Sequence, residues 1–538
     1  MAIQSLNLDL PTLHEIRRAN KAAATQPMRP APALPNRRYA RTYQAALSTN
    51  QNASWSMAQT SANQELRRAL RPVRARSRES QRNDALFKRF IWMMGQNVVG
   101  VEGLTLSDVI EGDDENELDA TLNEEIIKAF NEWSKPENAS SSGKLSFADQ
   151  QKLAIETACR DGEFLIRKRL DVPNKFGFAL QFMDVAWLDE TFNTVLSNGH
   201  RVLMSVELND FDRPVAYWLT RPASDLLYPE YGKIGQRTRV PAEEIYHRFI
   251  VSEHETQARG VPHGHAVLEM LHTIHGYVDG ELYKNRAAAC VTDYLIPPKN
   301  DEWNDFYDDG KAATEEQAAL GFAPGASREL ESATQQVLPP GWEIKTNDVN
   351  LPSGNFGPFM EGAQRYVATG LNVPYFRLAS DLKGVNFTSS RAGDNEAKVM
   401  YRYFQRWLKE QLCIPVFFDW AKEQMLRKAV PIRQIDYERL APSYDTPGWE
   451  SVDPDTDASA AEKDIANCLD TRTRIAAERG RDFRKIVKKL AEEEKLLAKA
   501  ELKRSTPKGK SSDAPQERAM YRAFRRWLRD SGSVEPTD

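Results

Sequence analysis

No run of apolar residues approaches the roughly eighteen needed for a membrane-spanning helix, and no basic start leads into an apolar stretch. The expectation is a protein without a secretion signal that does not cross a membrane by helices. Cysteine is scarce. Cys159, Cys290, Cys413 and Cys468 are scattered and form no C-x-x-C pair, so they read as buried thiols in a reducing compartment, with no disulfide framework. Positive charge is not in excess either. A net charge of −5 and a pI near 6 argue against a tight, sequence-specific DNA binder, though not against a protein that DNA merely passes. Gly509-Lys510-Ser511 lacks the earlier glycine and the preceding strand of a P-loop. No G-x-S-x-G, H-E-x-x-H or dinucleotide fingerprint occurs. Gly112-Asp-Asp-Glu-Asn-Glu-Leu-Asp119 lacks the spacing and closing glutamate of an EF-hand and reads as a solvated loop.

Histidine is also rare, but it is clustered. His247, His254, His263, His265, His272 and His275 are six of the chain's eight. His272 and His275 share a helical face and could bind a transition metal with His263 or His265. No cysteine or carboxylate completes a ligand pattern, so surface histidines or a pH-sensitive contact is the plainer reading. No catalytic, metal or cofactor site is expected.

A chain of 538 residues, 41% hydrophobic and 28% charged, is long enough for two to four domains. Residues 1–64 read as an arm, ordered only where it drapes on something. From Glu65 to Arg89 the chain is basic, and Leu86, Phe87, Phe90, Ile91 and Met94 give its end an amphipathic helical face. That stretch suits either a nucleic-acid contact or an arginine-rich face pairing with acidic neighbours, the second being the simpler. Residues 104–160 alternate helical signals with acidic loops. Strand candidates follow at Phe164–Arg169, Phe178–Met183, Arg201–Leu208, Val215–Leu219 and Ile245–Val251. The fold class is α+β. After Pro262 a helix is expected over His265–Val291, with Val267, Leu268, Leu271, Ile274, Val278 and Leu282 on its apolar side. Residues 292–346 form a loop-rich insert in which, over 301–316, Asp301, Glu302, Asp305, Asp308, Asp309, Glu315 and Glu316 face only Lys311.

The organising stretch is 355–428. Phe359, Met360, Ala363, Tyr366 and Val367 line one helical face, which stops near Asn372 because Pro374 disfavours helix before it. A second helix can start at Thr388-Ser389-Ser390, with Asp394 and Glu396 near its N-terminal dipole, and must kink or break at Pro415. Between them Leu378–Phe387 is a polar loop holding one cation, Lys383, beside the permissive Gly384. The region after Pro431 reads as irregular through Pro454. A helical stripe of Phe483, Ile486, Val487, Leu490 and Leu497 comes next. A linker then leads to the basic piece Gln516–Asp530, with Arg518, Arg522, Arg525 and Arg526 opposite Met520, Phe524 and Trp527.

Several short strings follow one another in a telling order. They are Arg76-Ser77-Arg78, Gln96-Asn-Val-Val-Gly100, Cys159-Arg-Asp-Gly-Glu-Phe-Leu165, Gly260-Val-Pro262, Asn386-Phe-Thr-Ser-Ser-Arg-Ala392 and Trp449-Glu-Ser-Val-Asp-Pro454. Together, over roughly residues 65–500, they resemble the phage portal proteins of the lambda family. The resemblance implies a mostly helical α+β portal fold, with a β-rich wing at 65–262 and a stem helix at 263–291. A clip at 292–346, a second stem helix at 347–377 and a tunnel loop at 378–388 would follow. The long kinked wing helix and its connection would occupy 389–454, and a helical crown with a basic tail 455–538. Two positions depart from the family pattern: His263 stands where a tryptophan often follows Gly-Val-Pro, and Asp455 where a lysine follows Val-Asp-Pro.

The same resemblance implies a ring of identical copies, twelve by family analogy, at one capsid vertex of a virion assembled in the host cytoplasm. Its partners would be double-stranded DNA without sequence specificity, the terminase large subunit, head-tail adaptor or neck proteins and the major capsid protein, with no membrane. Asp381, Lys383, Gly384, Asn386 and Arg391 would belong to the tunnel loop and channel, and Lys284, Arg286 and Arg365 to the stem lining. Asp301, Glu302, Asp305, Asp308, Asp309 and Lys311 would meet partners at the clip, and the tail arginines would touch DNA. Twelve copies at −5 each carry −60, so a mostly acidic bore with belts of Lys383 would give DNA brief contacts. The competing readings are a metal-dependent nuclease using the 112–119 carboxylates or the histidines, and a head-completion or scaffold protein.

Overall fold

The computed structural model describes residues 59–110, 117–170, 172–220, 236–290, 293–296, 343–346, 356–449, 453–481 and 483–499. Two helices open it. α1 (Ala62–Asn83) buries Leu66, Leu70, Arg74 and Ser77, one face at helical spacing. It ends at Asp84, which also caps α2 (Ala85–Val98) by accepting from the Phe87 N–H at 2.8 Å. Next come β1 (Thr105–Ile110), α3 (Glu117–Trp133) and α4 (Phe147–Asp161). α4 carries a reciprocal Ser146–Asp149 capping box and stops at Gly162, whose φ of 89° only glycine adopts freely.

The β-rich part holds two antiparallel sheets among the described residues. β2 (Glu163–Arg169) is the centre of one, between β3 (Ala179–Met183) and β9 (Ile245–Phe249). The other runs in order through β4 (Thr194–Val195), β5 (Arg201–Leu203), β6 (Val206–Leu208), β7 (Pro214–Thr220) and β8 (Arg237–Pro241). Then come α5 (Leu268–Cys290), the paired β10 (Asp293–Ile296) and β11 (Glu343–Thr346), α6 (Phe356–Gly370) and α7 (Phe387–Leu408). α8 (Ile414–Arg427), β12 (Leu440–Asp445), α9 (Pro454–Ala466), α10 (Arg472–Glu478) and α11 (Phe483–Lys499) complete the order. An α+β chain was expected and is observed.

Three sequence expectations need correction. Arg201–Leu208 is not one strand: Met204 (φ 48°) and Ser205 (φ 70°) turn it back on itself into the β5–β6 hairpin. Nothing in Met-Ser announces that turn, which tertiary bonds hold instead, from the Met204 N–H to Asn193 Oδ1 (3.1 Å) and Ser205 Oγ to the Asp189 carbonyl (2.9 Å). Residues 104–160 are not all helix and loop, nor is 432–454 wholly irregular. Thr105–Ile110 and Leu440–Asp445 pair antiparallel, and the strand is hard to read because β1 is buried on both faces and carries register shifts. Of the cysteines, Cys159 and Cys413 are buried as expected, but Cys468 is exposed.

A single aromatic-rich core joins α2, α3, α4, α7 and α8. Phe130 meets Trp420 at 5.2 Å and Phe417 at 5.5 Å between ring centroids, and Trp133 donates its Nε1–H to the Phe178 carbonyl. These rings bring large buried areas and edge-on contacts, and they seat α8 against α3.

The buried polar contacts gather at Glu163, whose side chain has no solvent exposure. It accepts from Arg259 Nε (2.9 Å) and Nη2 (2.5 Å), from Arg74 Nη2 (2.7 Å) and from the Gly260 N–H (3.0 Å). His247 Nε2 lies 2.8 Å away. Burial alone would push this carboxyl up, but Arg259 and then His247 and Arg74 hold it well below the usual carboxylate range. Arg259 also donates to the carbonyls of Leu188 (3.1 Å) and Met204 (3.0 Å), so one guanidinium ties both sheets together. Gly260 crosses Gly162 here so closely that a Cβ on Gly260 would lie 2.1 Å from the Gly162 carbonyl oxygen.

A second buried carboxylate, Glu207 on β6, accepts from Arg239 (2.8 and 3.0 Å) and Trp218 Nε1 (3.1 Å), and lies 2.9 Å from His200 Nδ1. The Arg239 hydrogen bonds, followed by those from His200 and Trp218, draw it from 4.5 down to about 2.

Two outcomes follow. Glu163→Gln leaves the buried Arg259 guanidinium without its counter-charge and Arg74 with Glu190 alone, so the urea or guanidinium midpoint should fall by the equivalent of about 3–5 kcal/mol, whereas an unchanged midpoint contradicts the assignment. A carboxyl depressed by folding stabilises above its ordinary pKa and loses that stabilisation as pH falls toward the depressed one. Stability should therefore decline between pH 4.5 and about 2, and Glu207→Gln should flatten that decline in an acid-unfolding series.

Candidate functional site

The stretch from α6 to α8 is a helix, a short helical turn at Tyr375–Leu378, a loop, and a long helix broken once. α6 reaches Gly370, as the proline at 374 requires, with Asn372 in a left-handed conformation (φ 56°). The loop is built by Asp381. Its Oδ1 accepts from the Lys383 N–H at 2.9 Å and its Oδ2 from Tyr375 Oη at 3.1 Å. The Lys383 backbone N–H and then Tyr375 lower the Asp381 pKa. Ser380 (φ 53°) and Gly384 (φ 70°) supply the two left-handed bends, and Gly384 has open space around it. Leu382, Lys383 and Gly384 are exposed at the tip.

The long helix does not start at Thr388–Ser390. Its cap is Asn386, whose Oδ1 accepts from the Ser389 N–H at 2.8 Å. Asp394, expected to serve the helix dipole, instead accepts both Nε (2.9 Å) and Nη2 (2.7 Å) of Arg377. That fork fastens the turn before the loop to the helix after it, and Asp394 raises the Arg377 pKa. Arg391 reaches away from the loop to Asp457 on α9.

At its other end α7 runs into a wider turn over Lys409–Cys413, where the Ile414 N–H bonds back to the Lys409 carbonyl. The cause is Pro415, which has no N–H to offer the Gln411 carbonyl. β9 supplies the missing donor, Arg248 Nε at 3.2 Å. Tyr444 Oη of β12 donates to the Cys413 carbonyl (3.1 Å), and Tyr246 Oη donates to Asp419, which Lys168 also meets at 2.5 Å. Side chains of β2, β9 and β12 thus fix the break expected at Pro415.

α5 begins at Leu268 and buries Leu268, Leu271 and Ile274, but none of residues 275–286 is buried. Leu282, expected on the apolar side, is 49% exposed. This half of α5 meets α6 through Tyr277, whose ring lies 4.4 Å from that of Phe359 and 5.8 Å from that of Phe356. Lys284 lies 3.9 Å from Glu281, Arg286 is exposed, and Arg365 pairs with Glu361 and covers the Tyr375 ring at 5.3 Å.

The structure thus brings Asp381, Lys383, Gly384 and Asn386 into one loop, with Arg365 alongside through Tyr375. Asp301, Glu302, Asp305, Asp308, Asp309 and Lys311, and Arg518, Arg522, Arg525 and Arg526, lie outside the described residues. His247 is buried and His263 half-buried, the latter stacked on Phe90 at 5.4 Å, and desolvation lowers both pKa values. Among the described residues no group of three or more His, Cys, Asp or Glu is placed to hold a metal ion, and no helix is long and apolar enough to cross a membrane.

The profile described as phage portal protein, lambda family, matches residues 48–405. A protein named "Probable portal protein" from Halomonas phage phiHAP-1 is 32% identical over 480 residues, covering 87% of this chain and 88% of that one. Portal protein B of Escherichia phage lambda is 21% identical over 371 residues, covering 64% and 67%. Among solved structures, a chain from the neck of an empty GTA particle computed with C6 symmetry aligns at TM-score 0.41 and 13% identity, covering 80% of this chain and 97% of that one. So low a score says nothing about function.

Arg248 and Arg377 should behave differently when replaced. Arg248→Met orphans the Gln411 carbonyl and should cost about 1–3 kcal/mol by denaturation. Arg377 is about half exposed, so Arg377→Ala should cost under about 1 kcal/mol yet speed amide exchange over 380–386. Equal exchange in Arg377→Ala and wild type would contradict the fork's role.

Proposed function

Because the chain belongs to the lambda family of phage portal proteins, we propose that its copies close into a ring at one capsid vertex and form the channel for packaging and ejecting double-stranded DNA. The observation that carries this reading is the bareness of α5 beyond Ile274. Leu282 and Tyr283 are exposed there, and Gly276 and Gly280 have nothing within 4 Å of a built Cβ. Each glycine costs a helix interior about 1 kcal/mol relative to alanine. A helix of this kind makes sense when neighbouring copies cover it, and a closed ring needs just such contacts between two different faces of one subunit.

On this reading 65–262 is the wing, 263–291 and 347–377 the stem, 292–346 the clip, 378–388 the tunnel loop, 389–454 the kinked wing helix and its connection, and 455–538 the crown and tail. Lys284, Arg286 and Arg365 would line the stem, and Arg391 would steady the start of the long helix. The acidic clip residues Asp301, Glu302, Asp305, Asp308 and Asp309, with Lys311, would face the terminase large subunit and later the head-tail adaptors. Arg518, Arg522, Arg525 and Arg526 would touch DNA inside the head, and the wing would meet the major capsid protein.

The loop chemistry suits a duplex that slides. Affinity for DNA rises steeply with the number of phosphates neutralised, so a bore basic throughout would hold the duplex fast. Here each Lys383 sits beside an ionised Asp381, so every cationic belt carries its own anionic one. Attraction is then short-ranged and quickly released.

In particles assembled with loop variants, Lys383→Ala should reduce DNA retention. Asp381→Asn keeps an acceptor for the Lys383 N–H but loses the negative charge, and should slow packaging. Unchanged packaging and retention in Lys383→Ala would contradict the belt.

A further inference from the structure

Six of the seven arginines of α1 divide into two sets, and Arg76, also exposed, lies outside both. Arg74 and Arg78 turn inward and are consumed by the fold, Arg74 on Glu163 and Glu190, Arg78 on Asp161 and Asp184. Arg67, Arg68, Arg71 and Arg82 are exposed and make no ion pair among the described residues. At about 100° per residue these four lie within a flank spanning roughly 100° of the helix surface. From Arg67 to Arg82 the flank is about 22 Å long at 1.5 Å per residue, some six base-pair rises of duplex DNA at about 3.4 Å each.

We infer that this flank is a second DNA contact, outside any channel, gripping the phosphodiester backbone of duplex DNA without reading its sequence. Guanidinium groups suit it because their planar fork matches phosphate oxygens in pairs. Asp161, Glu163, Asp184 and Glu190 already serve Arg74, Arg78, Arg160 and Arg259, which leaves only Glu65 and Glu79 among the residues of α1 itself to offset the four exposed arginines of the flank. A second copy of the chain is the competing occupant, and assembly of the arginine variant separates it from DNA. The chain as a whole carries −5, so the positive flank is local.

The test uses the full-length assembled protein and a small covalently closed circular duplex, which cannot thread a closed ring and so reports binding outside the bore. Filter binding is measured from 50 to 200 mM salt. The slope of log K against log salt falls by about 0.9 for each phosphate no longer neutralised. Arg67→Gln/Arg71→Gln/Arg82→Gln should therefore shrink the slope by about 2.7 per engaged subunit, which makes the fourfold rise in salt about fortyfold less costly. The control Lys128→Gln/Lys135→Gln/Lys144→Gln removes the same charge, also taking the chain from −5 to −8, from positions elsewhere on the surface, and should leave the slope near wild type.

An unchanged slope in the arginine variant, or an equal drop in the control, overturns the inference. So does failure of the arginine variant to assemble with the slope intact, which would assign the flank to a neighbouring copy. None of these outcomes bears on the channel, because the circular probe never enters it.

Discussion

One carboxylate without contact with water, Glu163, sets the geometry of everything around it. An isolated charge there would be prohibitively costly, so the fold must bring Arg259, Arg74 and the Gly260 N–H to it. Meeting that demand pins α1 to the three-stranded sheet, closes the 251–262 segment over Gly162, and through Arg259 anchors the second sheet by two carbonyls. A buried ion cluster of this kind adds little net stability over a well-packed apolar one, but it is expensive to break. The cluster therefore specifies an arrangement more than it strengthens one. α5 leaves directly from that arrangement, since the His263 N–H bonds to the Cys159 carbonyl and the side chains of Val267, Leu268 and Leu271 are already buried.

The long helix repeats the same logic at lower stakes. Pro415 creates a carbonyl that must find a donor outside the helix, and the sheet provides it, so the junction between α7 and α8 is held by Arg248, Tyr246 and Tyr444 as well as by the Ile414–Lys409 backbone bond. At the loop end α7 is tied by the half-exposed fork from Arg377 to Asp394 and by Arg391 to Asp457. One end is gripped by buried groups and the other by partly solvated ion pairs. Any motion of the 380–385 loop should thus be drawn from the second end, where local opening costs least.

Much of this was legible in the residues, and the strings behind the family resemblance explain why. Ser77 Oγ donates to the Arg160 carbonyl and Arg78 grips Asp161, while Gly162 lies against the Val261 backbone. Three separate strings thus meet at one chain crossing. Trp449 Nε1 donates to Asn97, and Pro447 sits against Gly100, which joins two more. Crossings of this kind demand particular residues. Helical spacing also gave α6 and the break at Pro415 correctly. What stayed hidden depends on partners distant in sequence: the Met204-Ser205 turn, the pairing of Thr105–Ile110 with Leu440–Asp445, and the capture of Asp394 by Arg377. Pro415 signals that a carbonyl is orphaned but not that Arg248 will satisfy it.

The account stands or falls on where the loop lies in the assembled protein. An electron cryomicroscopy map of the purified oligomer measures this directly. The account predicts a closed ring with an axial hole, α5 and α6 lining it, and Lys383 at its narrowest radius. A map with no hole, or with residues 380–385 on the outer rim, would contradict it.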